Sequence, residues 1–119
     1  MNAPSAHERF YLEGNTEKVV YLKDQKIPHA AQINVRREDH TLGNVIRCQL
    51  LNNPSVLFAG YRMPHPLEYE LQFRVQTDGS KSPGHAVIQA IDELETQINT
   101  LETKMKKAIA DKKKQSFYR

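Results

Sequence analysis

Residues 67–77 read LEYELQFRVQT, with Leu67, Tyr69, Leu71, Phe73 and Val75 on one parity and Glu68, Glu70, Gln72, Arg74 and Gln76 on the other. A period of two is the signature of a strand with one face on a core and one in water. Such a strand belongs to an antiparallel sheet covered on one side.

Immediately downstream, TDGSKSPG (77–84) supplies a loop and a helix start, with Ser82 placed to cap and Pro83 to take the first helical position. Beyond it Val87, Ile91, Leu94, Ile98, Leu101, Met105 and Ala108 step by 4, 3, 4, 3, 4, 3, a heptad seam of about three repeats. Upstream of the quoted strand, VLFAGYRM (56–63) is apolar on both parities and reads as a more deeply buried strand, followed by a turn at MPHP. In the segment before that, Leu42, Val45, Ile46 and Leu50 fall at helical spacing. This predicts a helix from near His40 to Asn52-Asn53-Pro54, where proline disfavours helical geometry in the preceding residue. AAQINVR (30–36) alternates, and EKVVYLK (17–23) is a short β-rich run. Residues 1–15 mix Pro, Gly and polar residues and read as an extended or loosely docked arm. The predicted order is ββαββα: an α+β, two-layer fold with a four-stranded antiparallel-type sheet, helices on one face and a long C-terminal helix.

The 119 residues suffice for one core, which predicts a single domain over 1–110 followed by a basic tail at 111–119. With 39% hydrophobic and 26% charged residues the composition is that of globular domains, and no apolar run approaches the length of a membrane span. The opening MNAPSAHERF lacks a signal-peptide apolar core, and the single Cys48 can form no internal disulfide. Both predict an intracellular, reducing location. The net charge of +3 is unevenly spread. Residues 104–119 hold seven of the 17 Lys and Arg against one acid, Asp111, leaving 10 basic and 13 acidic residues for the rest. The basic balance therefore describes the tail, not a nucleic-acid-binding face on the body.

From Pro83 to Ile109 the last helix spans about 40 Å at 1.5 Å per residue. A domain of this length has a diameter near 35 Å. Either the helix overhangs its sheet and exposes Ile98, Leu101 and Met105 until a partner covers them, or it frays early. Exposure costs roughly 1.5 to 3 kcal/mol for each large side chain.

Glu38, Asp39 and His40 form the one dense polar cluster. As neighbours on an extended segment they point in different directions, and no nucleophile motif accompanies them, so no catalytic residue is assigned. The five histidines are scattered without metal-ligand spacing, so no metal site or cofactor is expected. Gly43 stands alone at a helix start and forms no phosphate-binding loop. Asp39 reads as the helix cap. Gly43 costs about 1 kcal/mol of helix propensity against alanine, which is intelligible if something packs closely on it.

EDHTLGN (38–44), VLFAGYRMPHPLE (56–68) and RVQT (74–77) together resemble the eleventh-subunit family of eukaryotic RNA polymerase II. This is a branch of the α-like dimerisation family that also holds archaeal subunit L and the N-terminal domain of the bacterial α subunit. The likeness covers roughly residues 1–110. The corresponding subunit of polymerases I and III usually carries a cysteine within the segment that here reads Phe58-Ala59-Gly60-Tyr61, so polymerase II is the better match.

The resemblance implies a non-catalytic nuclear assembly subunit that pairs through its two helices with a larger α-like subunit, the third in polymerase II. The heterodimer would carry the two large catalytic subunits and meet DNA only through the complex, with no membrane contact. It places the partner interface on Asp39, His40, Thr41, Leu42, Gly43, Asn44, Ile46, Arg47 and Leu50 of the first helix. On the last helix it places Val87, Ile91, Leu94, Ile98, Leu101 and Met105 there. In the bacterial subunit two arginines follow the TLGN block; here Arg47 stands at the first position and Cys48 at the second, so only Arg47 carries over. Alternatives are the equivalent subunit of polymerases I and III, a nucleic-acid-binding module working through the basic tail, and an acid-base enzyme built on the polar cluster.

Overall fold

The alternation quoted above becomes the second of two central strands in a four-stranded antiparallel sheet. In the computed structural model, which describes residues 3–117, the elements are β1 (Val19–Lys23), β2 (Ala30–Arg36), α1 (His40–Leu51), β3 (Val56–Arg62), β4 (Glu70–Thr77) and α2 (Pro83–Phe117). The sheet order is β1-β2-β4-β3. In the β2/β4 register Ile33 faces Phe73 and Val35 faces Leu71, so the apolar parities of both strands lie on one side. Ile46 and Leu50 of α1 and Ala86 and Ala90 of α2 close over that side and complete the core.

The turn chemistry follows the sequence. The Ser82 hydroxyl accepts from the His85 N–H at 3.2 Å at the start of α2. α1 ends at Leu51, ahead of Pro54. Strand β4 begins at Glu70, not Leu67: its pairing with β2 ends at Arg36↔Glu70, so Leu67 has no neighbouring strand and sits exposed in the connection.

One expectation changes and two readings are made definite. First, β3 is an edge strand, hydrogen-bonded only to β4. Of its residues only Ala59 is buried, while Leu57 and Phe58 are 63% and 52% exposed. An apolar run on both parities suggested two covered faces, but the helices lie on one face only and a bulge between Val56 and Phe58 turns Leu57 away. Second, the N-terminal arm is docked. Ala6–Arg9 forms a short 3-10 turn, the Arg37 guanidinium donates to the Glu8 carbonyl at 2.8 Å, and Arg9 lies 5.8 Å over the Tyr69 ring. Arg37 holds a left-handed backbone (φ 60) as the chain turns out of β2. Third, α2 runs past Ile109 through 111–117, so the basic stretch continues the helix; Tyr118 and Arg119 lie outside the described residues.

At 35 residues α2 is about 52 Å long. The radius of gyration is 18.9 Å and the longest extent 66 Å, against about 13 to 14 Å of gyration for a spherical domain of this length. The difference is the overhang of α2.

Candidate functional site

The start of α1 is built from short-range chemistry. Asp39 is extended, and its carboxylate accepts from the Thr41 N–H at 2.9 Å, satisfying one of the unpaired donors of the first turn. The backbone and side-chain hydrogen bonds from Thr41 hold the Asp39 carboxyl below its ordinary pKa. His40 Nδ1 and the Tyr61 hydroxyl share a hydrogen bond of 2.8 Å. The Tyr61 ring lies over Gly43, where a Cβ would stand 2.7 Å from Cε2, and packs on Phe73 at a centroid distance of 5.7 Å. Asn44 Oδ1 accepts from Arg47 Nη2 at 2.7 Å. Both His40 and Asn44 are thus bonded within the chain. His40, Thr41 and Asn44 are exposed, Leu42 and Arg47 half-buried.

The sequence-derived interface residues divide by position. Ile46 and Leu50 lie in the chain's own core, Ile46 6% exposed and Leu50 without any exposed surface. Helical spacing identified the apolar stripe of α1 but not what it meets. On α2 the stripe against the sheet is Pro83, Ala86 and Ala90, small residues that let the helix approach closely, with Val87 and Leu94 half-buried beside it. Beyond Leu94 the helix loses its sheet. Ile98, Leu101 and Met105 are 60%, 59% and 56% exposed, and Ile91 and Ile109 extend the same strip.

A polar ladder locks the two helices where the strip begins. Gln49 of α1, itself buried, donates to Glu93 at 2.6 Å and accepts from Gln97 at 3.2 Å. Glu93 also accepts from Gln89 at 3.1 Å, and Gln89 in turn accepts from Lys81 at 2.5 Å. The ladder ties the first half of α2 to α1. Sequence reasoning missed Gln49 and Tyr61, and it placed Val45, which is exposed, in the apolar stripe of α1. Val45 lies one turn from Gln49 and so flanks the side of α1 that holds α2. The helical spacing of Val45 and Gln49 was visible; which flank of α1 would meet α2 was not.

Among the described residues no group of three or more His, Cys, Asp or Glu could hold a metal ion, and no helix is long and apolar enough to cross a membrane. Glu38 turns away to Lys18 at 3.1 Å, so the three polar neighbours do not converge.

Comparison with known proteins fits a pairing surface. Residues 30–104 match the model of the RNA polymerase Rpb3/Rpb11 dimerisation domain. The chain is 46% identical over 109 residues to the probable DNA-directed RNA polymerase II subunit RPB11 of Caenorhabditis briggsae, covering 92% of this chain and 88% of that one. It is 42% identical over 102 residues to the RNA polymerase II subunit rpb11 of Dictyostelium discoideum, covering 86% and 85%. The crystal structure of DNA-directed RNA polymerase subunit L from Thermoplasma acidophilum shares the fold, with a TM-score of 0.63 at 22% identity over 75% of this chain and 85% of that one. A matched region that runs from β2 into the exposed strip as far as Lys104, with relatives alike over nearly the whole chain, leaves one conclusion: this chain belongs to the RNA polymerase Rpb3/Rpb11 dimerisation family.

Proposed function

We propose that this chain is a non-catalytic assembly subunit of nuclear DNA-directed RNA polymerase II. It pairs with the larger α-like third subunit, and the pair carries the two large catalytic subunits in mRNA synthesis, meeting DNA only through the complex. Residues 1–110 form the dimerisation unit. The observation that carries this reading is the strip Ile98, Leu101 and Met105, held in water on a helix that outruns its sheet. Three such side chains represent roughly 1.5 to 3 kcal/mol each of unrealised burial. The names of the relatives supply the complex; the exposed strip supplies the reason to pair.

Co-expression with the larger α-like subunit tests it. The expected product is a one-to-one complex that co-purifies with the large subunits. Ile98→Asp should weaken pairing by roughly 100-fold or more, because a charge would be buried without a partner. Its surface position leaves the circular dichroism of the free chain intact. Wild-type pairing by this variant would place the interface elsewhere, and failure of the native chain to enter a polymerase would remove the function.

A further inference from the structure

Glu93 stands in the polar ladder with no cation of its own. Gln49 donates to one of its carboxylate oxygens at 2.6 Å and Gln89 to the other at 3.1 Å, and among the described residues no Lys, Arg or His forms an ion pair with it. Both amides are fixed from behind. The Gln49 oxygen accepts from Gln97 at 3.2 Å, and the Gln89 oxygen accepts from Lys81 at 2.5 Å and from Asn53 at 3.4 Å. Lys81 is thus engaged with Gln89, Arg47 of α1 donates to Asn44 at 2.7 Å, and residues 83–103 of α2 contain no Lys or Arg.

Glu93, Gln97 and Leu101 follow at intervals of four along one row of α2, so the ladder runs into the exposed strip. In the free chain Glu93 is half-buried and Gln97 beside it is exposed, so water still reaches the carboxylate. A partner lying on Leu101 and Gln97 shuts that water out. A carboxylate buried among amides alone is strongly disfavoured unless a positive charge arrives with the partner. We propose that the partner occupying the strip carries an arginine whose guanidinium pairs with Glu93, which makes Glu93 a specificity-determining residue of the pairing surface.

A guanidinium is the cation that fits. Each oxygen of Glu93 accepts one hydrogen bond and has a further lone-pair site free. With an amide holding each oxygen, two parallel N–H donors meet two fixed acceptors, whereas an ammonium is a point charge that gains nothing from the fixed plane. A partner presenting an acid or an apolar side chain here would leave the charge unpaired, so the same carboxylate discriminates against wrong partners.

This inference rests on the proposed pairing with the larger α-like subunit and is tested in that heterodimer. Glu93→Gln, which keeps the shape and removes the charge, should raise the dissociation constant about 30-fold or more, because it leaves the partner's guanidinium buried and unpaired. It retains an oxygen for Gln49, and circular dichroism of the free chain checks that it folds. Glu93→Asp, which keeps the charge, should pair within about fivefold of the native chain. A purely structural role would show no coupling to one residue of the partner, so the arginines and lysines of the larger subunit are replaced one at a time by methionine. One arginine replacement should weaken pairing about 30-fold with the native chain and less than about threefold with Glu93→Gln. Coupling to a lysine alone, coupling to no residue, or native pairing by Glu93→Gln would overturn the inference and leave the proposed function standing. Failure of the native chain to pair at all would remove both.

Discussion

At the residue scale the decisive contact is a glycine under an aromatic ring. Gly43→Ala gains about 1 kcal/mol of helix propensity, but its Cβ would stand 2.7 Å from a Tyr61 ring held by His40 on one side and Phe73 on the other. Overpacking of this kind costs about 1 to 3 kcal/mol. The clash wins, and urea unfolding should show a net loss of about 1 kcal/mol; equal or greater stability would mean that the ring moves aside freely. At the cap, Asp39→Ala should lose about 1 kcal/mol at neutral pH. Because hydrogen bonds from Thr41 depress the folded pKa of Asp39, its contribution is fully present above the ordinary value of about 3.9 and fades as pH falls through the lower folded value. The gap between wild type and variant in thermal melts should therefore close in acid; a gap that stays constant would assign the loss to something other than the ionised cap. Asp24, bonded chiefly by the Ile27 and Lys26 N–H groups, and Asp78, bonded by Ser80, are depressed in the same direction and add to the acid sensitivity. Asp39 was readable as a cap because its partner is two residues away. Gly43 was readable only as an anomaly, because Tyr61 comes from another element.

At the element scale the polar ladder ties the first half of α2 to α1. Gln49→Ala would strip a hydrogen bond from partly buried Glu93 and from Gln97, at about 1 to 3 kcal/mol. Thermal unfolding should fall accordingly, and amide exchange should quicken in the first half of α2; unchanged protection there would mean that Ala86 and Ala90 alone hold the helix. Periodicity identified both helices and the faces of β2 and β4, since 3.6 and 2.0 residue spacings are local properties of the backbone. It misjudged β3, where the apolar pattern reports side chains and not what covers them. The heptad seam named the large residues of α2 that stand in water, but periodicity did not single out Ala86 and Ala90, which close helix-on-sheet packing selects.

At the scale of the whole molecule the body and the overhang are energetically separate. Beyond Gln97 the described side chains of α2 are all exposed, so a chain ending at Asn99 should melt within about 0.5 kcal/mol of the full chain while losing all pairing. A large loss of stability on truncation would mean that the distal helix folds back on its own body. The order of elements, the cap of α1, the start of α2 and the heptad strip were determined by the sequence alone, because each depends on residues within a few positions of one another. The docking of the arm through Arg37, the ring over Gly43, the edge position of β3 and the burial of Ile46 and Leu50 were decided only in the tertiary structure. Those depend on which surfaces meet, and burial is shared between distant segments: the chain announces an apolar stripe, but only the packed molecule determines whether its own core or a partner removes that stripe from water.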